Sequence, residues 1–281
     1  SLQRVRGEII GVPGLENMKT YMWVDSSGET LKTHTDVPIP TTTYRVSKDV
    51  AMAKPSSVSG DFGVTTLVKS DKKIPKPYET SEVVYRISLK DGDVMKAFVH
   101  DERQKLSKSE QGEVLLTIHA VDPTRAAAEP RKTPGPEFLA SNNYLQADDP
   151  KVIQLAKDAT GDATNPWEQA KRIEKWVYQH ITEKNFNNLL DTAAEVAQKL
   201  EGDCTEHGVL LAAMARVVGL PSRVAVGLVY ADRLGKFGFQ MWTEVFVNGQ
   251  WVPVDGTLGM GHASPVHLKV FDSSMDGVDA Q

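Results

Sequence analysis

Residues 239–257 read FQMWTEVFVNGQWVPVDGT. Asn248-Gly249 is the strongest short hairpin signal, because both central residues of a type I′ turn need a positive φ. A two-residue turn fixes the register: Val247 faces Gln250, Phe246 faces Trp251, and Trp242 faces Asp255. Side chains alternate along a strand, so Gln240, Trp242, Glu244 and Phe246 share one face, and Asp255 joins it. Gln240 and Asp255 are then diagonal neighbours, about 7–8 Å apart at the backbone and within side-chain reach.

Upstream, Asp203 reads as the cap of a helix carrying Val209, Leu210, Ala213, Met214 and Val217, stopped by Gly219 and Pro221. Cys204 opens that helix. Free backbone N–H groups and the positive end of the helix dipole favour a thiolate there. The plain alternative is a small buried core residue. A histidine at 240 would be oriented by Asp255 and would meet Cys204 from a helix packed on that face of the hairpin, as a Cys-His-Asp nucleophile requires. The residue at 240 is glutamine.

The ordered set Gly202-Asp203-Cys204, Gly219-Leu220-Pro221-Ser222-Arg223, Gln240-Met241-Trp242 and Asp255-Gly256-Thr257 resembles the transglutaminase core. That family runs Gly-x-Cys at a helix start, Gly-(Ile/Leu)-Pro-x-Arg into a strand, His-x-Trp on a strand, and Asp-x-Thr at a strand end. The resemblance covers about a third of the chain. It implies Cys204 as nucleophile, Asp255 as orienting acid, and Gln240 in the place of the general base. The implied chemistry is thiolate attack on an amide carbonyl, loss of ammonia or an amine, and resolution of the thioester by amine or water. The oxyanion would be held by the Cys204 backbone N–H and one further donor. Trp242 and Trp251, with Phe246 and Trp176, are candidates to line the acyl-substrate groove, although Phe246 and Trp176 also read as core aromatics.

Glutamine donates and accepts hydrogen bonds but exchanges no proton near neutral pH. Loss of one triad member typically costs about 10³ to 10⁶ in rate. No other histidine reads as a replacement. His207, one turn after Cys204, reads as a polar residue satisfied in the packing below the site. His262 and His267 read as loop or strand-edge residues on the Gly-rich return after Asp255, and His34, His100, His119 and His180 as surface or edge positions.

The chain has 281 residues, 40% hydrophobic and 25% charged, with a formal charge of −5. These values fit an ordinary globular protein and carry no basic nucleic-acid footprint. With one cysteine, an intramolecular disulfide is impossible, and Cys204-x-x-His207 has no second ligand pair for zinc. No metal or cofactor is expected. No apolar run reaches a membrane span, and no signal peptide is read at the start, where Ser1 to Glu8 resemble sequence from within a protein. The resemblance points to a bacterial periplasmic or cell-envelope setting and to a protein or peptide amide as substrate.

Residues 1–123 read as an all-β, sandwich-like domain: Tyr21–Val24 and Glu29–Thr33 flank Ser26-Ser27-Gly28, Glu82–Lys90 alternates before Asp91-Gly92, and Gly112–Val121 is a further strand. Asp61-Phe62-Gly63 matches a kinase tripeptide but lacks its partner motifs and is set aside. Residues 124–136, rich in Pro, Ala and charge, read as a linker. Residues 137–281 form the α+β core. Asp149-Pro150 and Asn165-Pro166 each cap a helix, Trp167, Ala170, Ile173, Trp176, Val177 and Ile181 make an apolar stripe, and Thr192–Glu195 is a capping box. Strands follow at Arg223–Tyr230, Phe239–Val247 and Gln250–Asp255. Three functions fit: a cysteine acyl-transfer or amide-hydrolysing domain impaired by Gln240, an inactive peptide or cell-envelope binding module, and a structural piece serving the β domain.

Overall fold

The structure is a computed structural model that describes residues 3–8, 19–35, 41–47, 67–90, 92–125, 133–183, 190–261 and 264–277. Asp61-Phe62-Gly63, Asp91 and His262 fall outside these residues. The chain divides into two compact units, Ser1–Asp61 and Phe62–Gln281.

The first unit holds an antiparallel sheet of β1 (Gln3–Glu8), β2 (Lys19–Val24), β3 (Thr30–Thr35) and β4 (Thr41–Tyr44), in that order. The expected β2–β3 hairpin is present. Asp25 Oδ1 accepts from the backbone N–H groups of Ser27 and Glu29, an Asx-type closure that fits the residues at this turn.

In the second unit, short β5 (Val68–Lys69), β6 (Glu82–Ile87), a single helical turn α1 (Val94–Ala97), β7 (Gln104–Lys108) and β8 (Val114–His119) precede the helices. Strands β6, β8 and β7 form a separate sheet in that order. The compact units and the domains expected from composition do not coincide. Leu106, Leu116 and Ile118 of this sheet share one apolar core with Tyr230, Phe237, Val266 and Leu268 further along the chain. Alternation identifies a strand but does not say which surface it covers. The start of the expected linker is also anchored: Asn248 Nδ2 donates to Pro123 O at 2.8 Å, and Gln250 Nε2 donates to Asp122 O at 2.8 Å. Residues 126–132 lie outside the described residues.

Four helices follow: α2 (Pro150–Thr160), α3 (Pro166–His180), α4 (Ala193–Lys199) and α5 (Cys204–Val217). Each begins where the sequence places a cap. Asp149, Asn165, Thr192 and Asp203 accept first-turn backbone N–H groups, and proline occupies the first position of α2 and α3. The α5 cap is a full capping box, in which Glu206 Oε2 accepts from Asp203 N at 2.9 Å.

The main sheet runs β11 (Gln250–Val254), β10 (Lys236–Val247), β9 (Ser222–Ala231), β12 (His267–Ser273), all antiparallel, with β5 beside the start of β10. One face of this sheet is apolar along its length. Met241, Val245, Val224 and Val254 pack under α5 and the other helices, while Phe237, Tyr230 and Leu268 pack under the β6–β8–β7 sheet. The chain is thus α+β, helices on an antiparallel sheet, with an all-β segment before it.

Candidate functional site

The hairpin that decides the fold has the expected register. Phe246 pairs with Trp251 and Val247 with Gln250, and the turn residues Asn248 and Gly249 have φ of 51° and 79°. Pairing with β11 stops at Thr243–Val254, while β9 continues beside β10 through Gln240–Gly227 and beyond. Between Gln240 and Trp242, one edge of β10 therefore has no β11 residue against it. There the backbone N–H of Met241 lies near enough to the Cys204 thiol to pull its pKa down.

Cys204 is the first residue of α5, as expected, and part of its surface is exposed. The helix does not pack on the face that carries Gln240. It lies on the opposite face, where Thr243 Oγ1 donates to Gly208 O at 2.8 Å and a Cβ at Gly208 would stand 3.1 Å from Met241 Cγ. Period two put Gln240 and Asp255 on one face but could not say which face the helix takes. The apolar residues Met241, Val245 and Val247 decide it. Cys204 and Gln240 thus approach the free edge of β10 from the two sides of the sheet.

Asp255 is 3% exposed, and its carboxylate is surrounded by donors. Gln240 Nε2 lies 3.2 Å from Oδ1 and 3.0 Å from Oδ2. The N–H groups of Thr257 and Leu258 reach Oδ1 at 2.9 and 3.2 Å. His267 Nε2 reaches Oδ2 at 3.1 Å. Behind Asp255, Glu174 of α3 accepts the Asp255 N–H at 3.1 Å. Burial pushes the Glu174 carboxyl up to about 8, and the neighbouring Asp255 charge adds to the rise against the backbone N–H groups that lower it.

The thiol departs from the expected thiolate. Burial is the main cause, and the charges of Asp203, Asp255 and Glu206 add to it. Together they outweigh the Met241 N–H and push Cys204 up to about 12. A catalytic cysteine is normally brought down by a cation such as an imidazolium. Gln240 supplies none.

Sequence reasoning missed two residues here. His267 is not at a strand edge in the sense of exposure: it is 2% exposed, on β12, bonded to Asp255. Val266-His267-Leu268-Lys269 alternates, so the strand was readable, but its polar face is buried as well as its apolar one. Glu174 sits within the apolar stripe of α3 and is 1% exposed, and nothing in the stripe marks a carboxylate for burial.

Trp242 is 1% exposed, and its ring meets His267 edge-on at 5.1 Å. Trp251 pairs with Phe246, six residues along β10 from Gln240, about 20 Å at strand rise. It packs against Phe138 and Phe246 and lies under the Arg223 guanidinium at 4.2 Å. Both tryptophans thus have aromatic packing partners. His207 is buried, and its Nδ1 bonds Asp203 O within its own helix. Among the described residues, no group of three or more His, Cys, Asp or Glu could hold a metal ion.

Beyond Asp255 the same sheet face carries a buried charge network. Glu244 meets Lys269 Nζ at 2.9 Å and Arg223 Nη2 at 2.6 Å, and Lys269 also meets Asp101 and Asp272 at 2.8 and 3.0 Å. No described helix is long and apolar enough to cross a membrane.

Among curated proteins none matches the chain by sequence. Among solved structures, a candidate cysteine protease from Cytophaga hutchinsonii is similar at 18% identity and a TM-score of 0.45, covering 76% of this chain and 78% of that one. The periplasmic domain of TgpA from Pseudomonas aeruginosa is similar at 11% identity and a TM-score of 0.38, covering 69% and 75%. The model of the transglutaminase-like superfamily matches residues 153–256, a span that holds α3, α5, Gln240 and Asp255. Over residues 153–256 this chain is thus similar to a transglutaminase-like core.

Proposed function

We propose that this core is built for cysteine acyl transfer or amide hydrolysis on a protein or peptide substrate, with Cys204 as nucleophile, and that Gln240 leaves the chain impaired. The observation that carries the reading is the Gln240 amide docked on the Asp255 carboxylate, next to Met241, whose backbone N–H acts on the Cys204 thiol. Asp255 is arranged to orient a donor at 240. An imidazole there would present one nitrogen to Asp255 and the other toward the thiol.

In the complete reaction the thiol loses its proton to the base and the sulfur attacks the amide carbonyl. The base returns the proton to the leaving ammonia or amine, and an amine or water then resolves the thioester. The α5 N-terminus supplies free backbone N–H groups, Cys204 N–H first, for the oxyanion. Gln240 preserves the hydrogen bond to Asp255 but cannot carry the proton.

The raised thiol favours a second reading, a transglutaminase-like module that binds peptides or envelope components without turnover. A bacterial periplasmic or cell-envelope location fits both readings. The test is to incubate the chain and its Gln240→His variant with glutamine-containing peptides and an amine probe. Label incorporation or ammonia release by the histidine form alone, abolished by Cys204→Ala, supports the enzyme reading. Binding without turnover in both forms supports the module.

A further inference from the structure

We propose that His267 is a positioning residue of this site, holding Asp255 for the residue at 240. The inference rests on the functional reading above. Five donor contacts, from four groups, converge on the Asp255 carboxylate. Thr257 N–H, Leu258 N–H and the Gln240 amide can only donate to it. An ionised carboxylate only accepts, so the His267 contact is Nε2–H donating to Oδ2. For a neutral ring that assigns the tautomer, with the proton on Nε2 and the lone pair on Nδ1. Among the described residues Nδ1 is buried without a hydrogen-bond partner, which suits a lone pair better than an orphaned N–H.

The imidazole is itself fixed from several directions. Trp242 packs edge-on against the ring, and Arg103 Nη2 donates to His267 O at 2.9 Å. Two residues on, the Gln104 side chain completes the outer edge of β12, accepting from Lys269 N at 2.8 Å and donating to Lys269 O at 2.6 Å. Gly227 pairs with Gln240 on one side and with Lys269, two residues on from His267, on the other, and a Cβ there would collide with Leu268 O. The charged groups around the pair are Asp255 itself, Glu174 behind it, Arg103 at the strand edge, and Lys269 with Glu244 further along the face.

The two Thr257 and Leu258 N–H groups take Oδ1, and His267 takes Oδ2 from the far side. The carboxylate cannot turn, and the edge facing residue 240 is constant. A buried histidine with no catalytic contact of its own is thereby part of the site. It acts through Asp255, not on substrate.

The first test uses the unaltered chain. Nitrogen-15 NMR of labelled histidines at pH 8, with His267→Gln for assignment, should show His267 protonated at Nε2 and bare at Nδ1. The opposite tautomer overturns the proposal. The second test measures Cys204 alkylation against pH in a Gln240→His background. His267→Leu should shift the profile upward and lower the rate at pH 6 about tenfold, the size of one lost charge-assisted hydrogen bond. His267→Gln, whose amide can donate as Nε2 does, should restore the profile. A folded His267→Leu form with an unmoved profile overturns the proposal, and so does a Gln form no better than Leu. If Gln240→His alone leaves alkylation unchanged, the functional reading fails instead, and the NMR arm still decides His267.

Discussion

Replacing Gln240 with histidine should change thiol chemistry by an amount that the site itself sets. With Cys204 raised to about 12, the thiolate fraction at pH 7 is about 10⁻⁵. An imidazolium between Cys204 and Asp255 should bring the thiol to about 7, the upper end of the range that adjacent histidines and helix N-termini produce. The thiolate fraction then rises by more than about four decades at pH 7, while intrinsic nucleophilicity falls by about 2 to 2.5 decades, from a Brønsted slope of roughly 0.4–0.5. The net gain is about two decades. At pH 10 the parent fraction is already about 10⁻², so the two effects cancel and the rates converge. The assay is exchange with a neutral dipyridyl disulfide from pH 6 to pH 10, with near-ultraviolet circular dichroism to confirm that both forms are folded. A gain under about tenfold at pH 7 refutes the placement of residue 240 beside the thiol. A gain that persists unchanged to pH 10 refutes the assigned protonation state.

Asp203→Asn keeps the cap of α5 but removes the charge that raises Cys204 most, so disulfide exchange at pH 7 should rise severalfold while the melting temperature stays within a few degrees. Burial would raise Glu244, but Lys269 and then Arg223 reverse this and hold it at about 2. Its stabilisation is present above the ordinary carboxylate range and is lost as pH falls toward 2. Glu244→Ala should cost about 3–5 kcal/mol by denaturant titration at pH 7, with a smaller difference from the parent at pH 3. Glu174, raised to about 8, behaves oppositely: its contribution is present below about 4.5 and lost as pH climbs through 8, so Glu174→Gln should flatten the decline in stability over that window in pH-dependent melting.

Much of this molecule follows from local rules. Asp149, Asn165, Thr192 and Asp203 start helices because a short acceptor side chain meets free N–H groups, and that contact is decided within three residues. Asn248-Gly249 sets the Gln240–Asp255 hydrogen bond for the same reason, since turn type fixes register over the next strand pair. The packing surfaces do not follow from such rules. Glu82–Ile87 and Val114–His119 alternate as strands in any setting, and only the assembled fold shows that Leu116 and Ile118 meet Phe237 and Leu268.

The buried polar face of the main sheet was the hardest part to read, and the reason is physical. Alternation assigns the apolar side of a strand to the core and the polar side to water. Here both sides of β10 and β12 are buried: Met241 and Leu268 under helices and the second sheet, and Glu244, His267 and Lys269 in a network of mutual ion pairs and hydrogen bonds. A buried charge is tolerated only when its partners are in place. Of those partners, Asp101, Arg223 and Asp255 come from segments more than ten residues away, and only Asp272 lies on the same strand as Lys269. The face that looked solvent-directed in sequence is the one that holds Asp255 still. Cys204 comes from the other face, near Met241 at the edge that β11 leaves unpaired. Two residues of strand length, Asp255 and Gly256, therefore govern the site. Had β11 continued past Val254 in register, it would have occupied that edge and its N–H, and the thiol would have had no place beside residue 240.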